Sequence, residues 1–168
     1  ANQIMRLAER AGPGLAGAGD ITAIFSVLVA GSDMEEPIAD ILRGVLDGHV
    51  VLSREIAERG RFPAIDILRS VSRSLPEAAT EEENDVLLQA RHLLGAYARS
   101  ETMIRAGLYR EGEDPLLDQA IRAWPDLDNF VAEAAPHGPH AAFNQLRLIL
   151  RRSGVRSPQQ KRRLSAAG

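Results

Sequence analysis

Few residues in this chain have the type and spacing that chemistry needs. The most suggestive is Arg73, at the end of Phe62-Pro63-Ala64-Ile65-Asp66-Ile67-Leu68-Arg69-Ser70-Val71-Ser72-Arg73. An apolar run leads into a loop, and small hydroxyl residues precede the arginine. Arginine on a short rigid loop presents a planar, permanently charged fork that suits a phosphate. Taken singly, such an arginine is more often a solvated surface charge. A second candidate is the acidic loop Asp33-Met34-Glu35-Glu36, for which a plain solvated loop is the alternative. His137-Gly138-Pro139-His140 offers two imidazoles, whereas a zinc site wants three or four ligands, so it reads as a loop with no metal. His49 flanks an apolar run and reads as structural. Asp40, Asp47 and Asp66 read as caps.

The elements that position these residues fall into two textures. Met5–Arg10 reads as the end of a helix, followed by a loop rich in glycine and proline over 12–19. Ile21–Val29 is almost wholly apolar or β-branched, as expected for a strand buried on both faces of a parallel sheet. Pro37 opens a short helix that Gly48 ends. His49–Ser53 reads as a second buried strand, 54–59 as a short helix closed by Gly60, and Ala64-Ile65 as the kernel of a third strand. Two or three such strands cannot cover both faces of a sheet, which points to a larger domain.

After Pro76 the pattern turns helical. Thr80-Glu81-Glu82-Glu83 is a capping box for a helix reaching about Ala106, with Gly107 as its stop. Val86, Leu87, Ala90, Leu93, Leu94 and Tyr97 lie on one face. Asp114-Pro115 is an N-cap followed by proline at the first helical position. That helix carries Leu116, Leu117, Ala120, Ile121 and Trp124, breaks at Pro125, and resumes toward Leu127, Phe130 and Val131. Tyr97, Trp124 and Phe130 read as core. A last helix spans about Pro139 to Arg152. Residues 153–168 form a basic tail expected to be disordered, and with no interleaved aromatics it gives no nucleic-acid signal. The expected class is α/β followed by all-α, mostly helical: part of a parallel sheet over 1–76, a helical bundle over 77–152, and the tail.

Composition narrows the function classes. The 168 residues carry a formal net charge of −3, with no global pull toward nucleic acid or anionic membrane. The absence of cysteine excludes disulfides and thiolate metal sites, and fits a reducing compartment. No apolar run approaches the roughly twenty residues of a membrane helix. The chain reads as soluble and cytoplasmic.

Read together, 33–40, 43–54 and 62–73 resemble the ATPases of flagellar and type III secretion export, relatives of the catalytic subunit of rotary F-type ATPases. The resemblance extends over about Leu7 to Phe130. It implies the second half of a RecA-like nucleotide-binding core followed by the family's helical C-terminal domain. By that similarity Arg73, with Ser72 beside it, is an arginine finger reaching across a subunit boundary to ATP held by the neighbour. Asp33, Glu35 and Glu36 resemble a loop facing a central stalk. Residues 104–115 resemble the family's helix–turn–helix, making Tyr109, Arg110, Glu111 and Glu113 candidates for partner contact. The full-length protein would then be a hexameric ring that uses ATP and Mg2+, meets stalk and export-chaperone proteins, and works in the cytoplasm at the inner face of the membrane export apparatus.

The departures are equally specific. No G-x-x-x-x-G-K-[ST] stretch is present, nor an apolar strand ending in a magnesium-binding aspartate, nor a glutamate set to orient water. In F-type relatives an aromatic residue shortly after the arginine stacks on adenine, whereas Thr80–Asp85 has none. The tail beyond about Ala135 exceeds the usual family end. The expectation is a C-terminal part that supplies a finger without a complete site, inactive alone and binding no cofactor alone. A stand-alone interaction module for a stalk or chaperone is the alternative. Another ring ATPase, such as a rotary-synthase subunit or a termination helicase, is a third reading, against which the Gly107-x-Tyr109-x-x-Gly112-x-Asp114-Pro115 run favours the export branch.

Overall fold

The computed structural model describes residues 2–29, 37–135 and 137–155. The acidic loop with Asp33, Glu35 and Glu36 lies outside the described residues, as does the tail from 156 onward. Element order is α1 (Asn2–Glu9), α2 (Pro37–Val45), β1 (Gly48–Leu52), α3 (Arg54–Glu58), β2 (Ile65–Ser72), α4 (Glu81–Arg105), α5 (Pro115–Ala132) and α6 (Gly138–Arg152). The expected class stands: a small mixed α and β part is followed by helices.

The sheet differs in its details. Among the described residues it has two strands, and β1 pairs with β2 antiparallel, not parallel. Residues 53–64 return the chain directly, with only the short α3 between the strands. A parallel pair would need a connection that carries the chain back along the full strand length before the second strand starts, whereas here Leu52 pairs directly with Ile65. β2 is longer than the two-residue kernel suggested, because Asp66 and the Arg69-Ser70 pair interrupt its apolar pattern. Gly48 opens β1 and does not end α2, which stops at Val45. A Cβ at position 48 would lie 2.6 Å from the Val71 carbonyl oxygen, so only glycine lets the strands approach here.

Ile21–Val29 forms no strand. Gly12 and Ile21 make an isolated bridge, and 22–29 lack regular structure. Ile24 and Leu28 are 92% and 99% exposed. Among the described residues no strand runs beside this segment, and a strand without a ladder leaves its backbone groups unpaired. Its apolar character suits two covering layers that are not in place here.

The core lies in the helical part, where α4, α5 and α6 enclose Ala90, Leu93, Ala96, Leu117, Ala120, Ala123, Leu127, Leu146, Ile149 and Leu150. Alanines at four of these positions let the helix backbones approach closely. Pro125 does not break α5, which runs through it. Pro125 is exposed, so the Ile121 carbonyl facing its missing N–H can turn toward water. Burial of Ala123 and Leu127 on the opposite side holds the helix together. The chain stays ordered past Arg152: Val155 and Gly154 donate to the carbonyls of Leu150 and Arg151, closing α6 with glycine in the left-handed region. Ser153 is buried and Val155 packs on the core, so residues 153–155 belong with the bundle.

At the start of α4 the capping box is complete. The Thr80 hydroxyl accepts from the Glu83 N–H (3.2 Å), while the Thr80 N–H and hydroxyl both donate to the Glu83 carboxylate (2.9 Å each). The backbone bond, and then the hydroxyl bond, hold the Glu83 carboxyl below its usual range. A lowered folded-state pKa contributes stability above the unfolded pKa and loses it as pH falls through the folded value. The melting-temperature deficit of Glu83→Ala should therefore be present at neutral pH and shrink as the buffer is acidified through the carboxylate range. A deficit that grows on acidification would contradict this.

Candidate functional site

β2 delivers Ser72 and Arg73, and the geometry around it explains where they end up. Past its first two residues the strand departs from the ladder. Asp66 pairs with Val51 and Val71 with His49, so four residues, 67–70, stand opposite Val50 alone. Side chains bond to much of the backbone of this wide bulge. Asp66 Oδ1 accepts from the N–H groups of Leu68 (3.0 Å) and Arg69 (3.1 Å). The Ser70 hydroxyl donates to the Asp66 carbonyl (2.5 Å) and accepts from the Val51 N–H (3.0 Å). Of the four outward carbonyls, that of Arg69 accepts from His49 Nε2 (3.1 Å), which therefore carries the proton on that nitrogen. The other three face one guanidinium, that of Arg91 on α4: Ile67 at 2.8 Å, Leu68 at 3.2 Å and Ser70 at 3.4 Å.

After the bulge the ladder resumes for His49–Val71 and Gly48–Ser72, and the Arg73 N–H donates to the Asp47 carbonyl (2.7 Å). The Arg73 side chain is exposed. Its guanidinium donates to the carbonyls of Arg43 (2.7 Å) and Gly44 (3.3 Å), at the C-terminal end of α2. That is the negative end of the helix dipole, a natural resting place for a cation. No carboxylate neutralises Arg73 among the described contacts, so its charge is available to an anion.

A second set of contacts fastens the sheet part to the helices. Asp128 on α5 accepts from Arg59 (3.1 Å) and Arg61 (3.1 Å). Arg61 also donates to the carbonyls of Pro63 (2.7 Å) and Ile65 (2.8 Å), tying the entry of β2 to the same carboxylate. Arg59 lies over the Trp124 ring at 5.5 Å, and Trp124 stacks on Tyr97 at 4.7 Å. Arg59, Arg61, Tyr97, Trp124 and Asp128 line a cleft of about 250 Å³ between α3, β2, α4 and α5. Sequence reasoning missed Arg61, Arg91 and Asp128. Arg61 and Asp128 are 67 positions apart, and the Arg91 partners are backbone oxygens that leave no mark in residue types.

The other candidates lie at the far end of α4. Gly107, at φ +68°, ends α4, and its N–H donates to Ile104 O while that of Leu108 donates to Met103 O. Tyr109 turns inward against the helical core, and its hydroxyl donates to Asp118 Oδ1 (2.5 Å). Burial, and then that hydrogen bond, push the phenol pKa up. Tyr109 thus supports the turn from inside. Arg110, Glu111 and Glu113 are exposed around it, and Glu111 meets Arg122 at 3.5 Å. Among the described residues, no contact brings this turn and Arg73 into one site. Among the described residues no cluster of three or more His, Cys, Asp or Glu could hold a metal ion. Nor is any of their helices long and apolar enough to cross a membrane.

Comparison with known proteins gives two family matches. Residues 1–72 match the ATP synthase alpha/beta family, nucleotide-binding domain, and residues 79–137 match the T3SS EscN ATPase C-terminal domain. Ser72 is the last residue of the first match, and Arg73 falls between the two. The chain is 48% identical over 136 residues to a flagellum-specific ATP synthase of Caulobacter vibrioides, covering 78% of this chain and 31% of that protein. It is 43% identical over 147 residues to the SPI-2 type 3 secretion system ATPase of Salmonella typhimurium, covering 86% and 34%. Among solved structures, the assembled ATPase EscN from the enteropathogenic E. coli type III secretion system superposes with a TM-score of 0.81 at 36% identity, over 89% of this chain and 36% of EscN. A structure of EscN with its central stalk EscO gives 0.75, also at 36% identity, over 89% and 35%. The chain spans about a third of the length of these relatives. On both halves of its sequence and on its fold, this chain belongs to the family of flagellar and type III secretion ATPases and is homologous to their C-terminal part.

Proposed function

We propose that, within its full-length protein, this chain supplies the arginine finger of a ring-forming ATPase, a homo-hexamer that energises protein export by the flagellar or type III route. The observation that carries this is Arg73 itself: an exposed, unneutralised guanidinium at the end of a strand braced on both sides, directly after Ser72. The chemistry is attack of water on the γ-phosphorus of ATP bound by the neighbouring subunit, with cleavage of the β,γ bridging bond to give ADP and phosphate. Charge builds on the transferring phosphoryl oxygens, and a fixed cation there lowers the barrier. To reach them Arg73 must leave two carbonyls at the end of α2. Exposed contacts of that kind at a helix C-terminus are worth about 0.3–1 kcal/mol, a small sum beside what a finger contributes. The nucleotide and its Mg2+ belong to the neighbour's phosphate cradle, and Ser72 flanks the approach.

In this reading the turn after α4 contacts the central stalk through Arg110, Glu111 and Glu113, with Tyr109 holding its shape, and Asp33, Glu35 and Glu36 face the same partner. Support comes from EscN, a relative solved together with a stalk. Export chaperones would be further partners. The place of action would be the cytoplasmic face of the membrane export apparatus.

Subunit mixing tests action in trans. Full-length subunits carrying Arg73→Ala, and others lacking the nucleotide-binding lysine, should each be inactive alone and regain hydrolysis when mixed. At mixed boundaries an intact finger then meets an intact cradle. Failure to regain activity in rings that demonstrably contain both subunits would rule out a finger supplied across the boundary.

A further inference from the structure

We propose that Arg91, on α4, is a positioning residue for Arg73: it clamps the β2 bulge and so sets where the last two strand residues and the arginine after them emerge. This rests on the reading of Arg73 as a finger. Downstream of the bulge little else holds the chain. Two residue pairs, His49–Val71 and Gly48–Ser72, and the Arg73 N–H bond to Asp47 are the ladder that remains. The bulge therefore decides the register of this end. A slip of one residue would move Arg73 along the strand by about 3.3 Å and turn its side chain to the opposite face.

Within the bulge the contacts divide into two kinds. Asp66, Ser70 and His49 are in the sheet part itself, and they hold the Leu68 and Arg69 amides, the Val51 amide of β1 and the Arg69 carbonyl. The carbonyls of Ile67, Leu68 and Ser70 are held from outside it, by the Arg91 fork alone. Arginine suits this task because its planar donors diverge at fixed angles, so several carbonyls can be held in one mutual arrangement. Lysine would reach fewer of them and fix none in orientation. Removing the fork frees three carbonyls to hydrate and the bulge to change shape, three residues from Arg73. Misplacement of a catalytic group by about 1 Å can lower a rate by about a hundredfold.

The test uses the full-length protein in five forms: wild type, Arg91→Ala, Arg91→Lys, Arg73→Ala and the Arg91→Ala, Arg73→Ala double variant. Arg91→Ala should lower kcat for ATP hydrolysis by roughly ten- to hundredfold and leave the KM for ATP within about twofold. In the Arg73→Ala background, the same substitution should change kcat by less than about twofold, because the group it positions is already gone. Arg91→Lys, which keeps the charge, should recover only part of the rate; it also serves if Arg91→Ala does not assemble. Equal losses in both backgrounds would mean that Arg91 supports the fold at large, and would overturn the proposal while leaving the finger intact. So would an unchanged rate in Arg91→Ala. An Arg73→Ala single variant at wild-type rate would instead defeat the finger reading, and this inference with it.

Discussion

Full-length protein carrying Arg73→Ala should hydrolyse ATP about a thousandfold more slowly than wild type while still binding the nucleotide. The magnitude separates the two roles open to this side chain. In the structure Arg73 rests on the carbonyls of Arg43 and Gly44, where it stabilises the C-terminal end of α2. A cation in that position is worth about 0.3–1 kcal/mol of stability. If that were its whole role, alanine would lower the melting temperature slightly and leave turnover nearly unchanged. A finger behaves in the opposite way: stability hardly moves and kcat collapses, because the interaction exists only as charge develops on the phosphoryl group. Arg73→Lys should also be slow, since a point charge cannot reproduce the planar fork. The isolated chain, tested in parallel, should show no hydrolysis, as its sequence contains no phosphate-cradling G-x-x-x-x-G-K-[ST] stretch. Wild-type turnover in Arg73→Ala would reduce the arginine to a helix cap.

Leu127→Ala should be the most damaging of the simple core truncations, at about 3 kcal/mol. Leu127 is 2% exposed in the core that the three long helices enclose. Its neighbours in that core include Ala90, Ala96, Ala120 and Ala123, which have no side-chain length with which to refill the space. The helices would have to move as bodies, and their backbones are already close. For a chain of this size the loss corresponds to a fall of roughly 6–12 °C in the thermal midpoint, followed by far-ultraviolet circular dichroism. Leu88→Ala on α4 is the matched control. Leu88 is 69% exposed, and its truncation should stay within about 0.5 kcal/mol. Similar midpoints for the two variants would show that the core is elsewhere.

The helical half could be read from the residues because its signals are local. Thr80 and Glu83 are three positions apart and cap each other; Asp114 and Pro115 are adjacent; the apolar faces repeat every turn. Each feature is satisfied within one helix, whatever the rest of the chain does. The sheet half could not be read this way. Ile21–Val29 has the composition of a buried strand, but a strand exists only beside another. The bulge in β2 disguised a strand as a loop, since Asp66 and Ser70 bond to backbone within the bulge and break the alternation of faces. Pro125 misled for a similar reason: a proline removes one bond, and on the exposed side of a helix water can replace it. Arg73 stood out as a candidate because it follows Ser70 and Ser72 at the end of the stretch. The residues that brace it did not, because Arg91 and Arg61 look like any solvated arginine until their distant carbonyl partners are in place.

The stacked pair of Tyr97 and Trp124, with Arg59 over the indole, has a practical consequence. Trp124 is the chain's one tryptophan. It sits on the seam where α3 meets α4 and α5, half-buried, with a cation on one side and a phenol on the other. Indole emission depends on polarity and on nearby charge, so this ring is a built-in optical gauge of that seam. Opening of the seam would register as a change in its colour and brightness, with no dye attached and no second tryptophan in the chain to blur the signal.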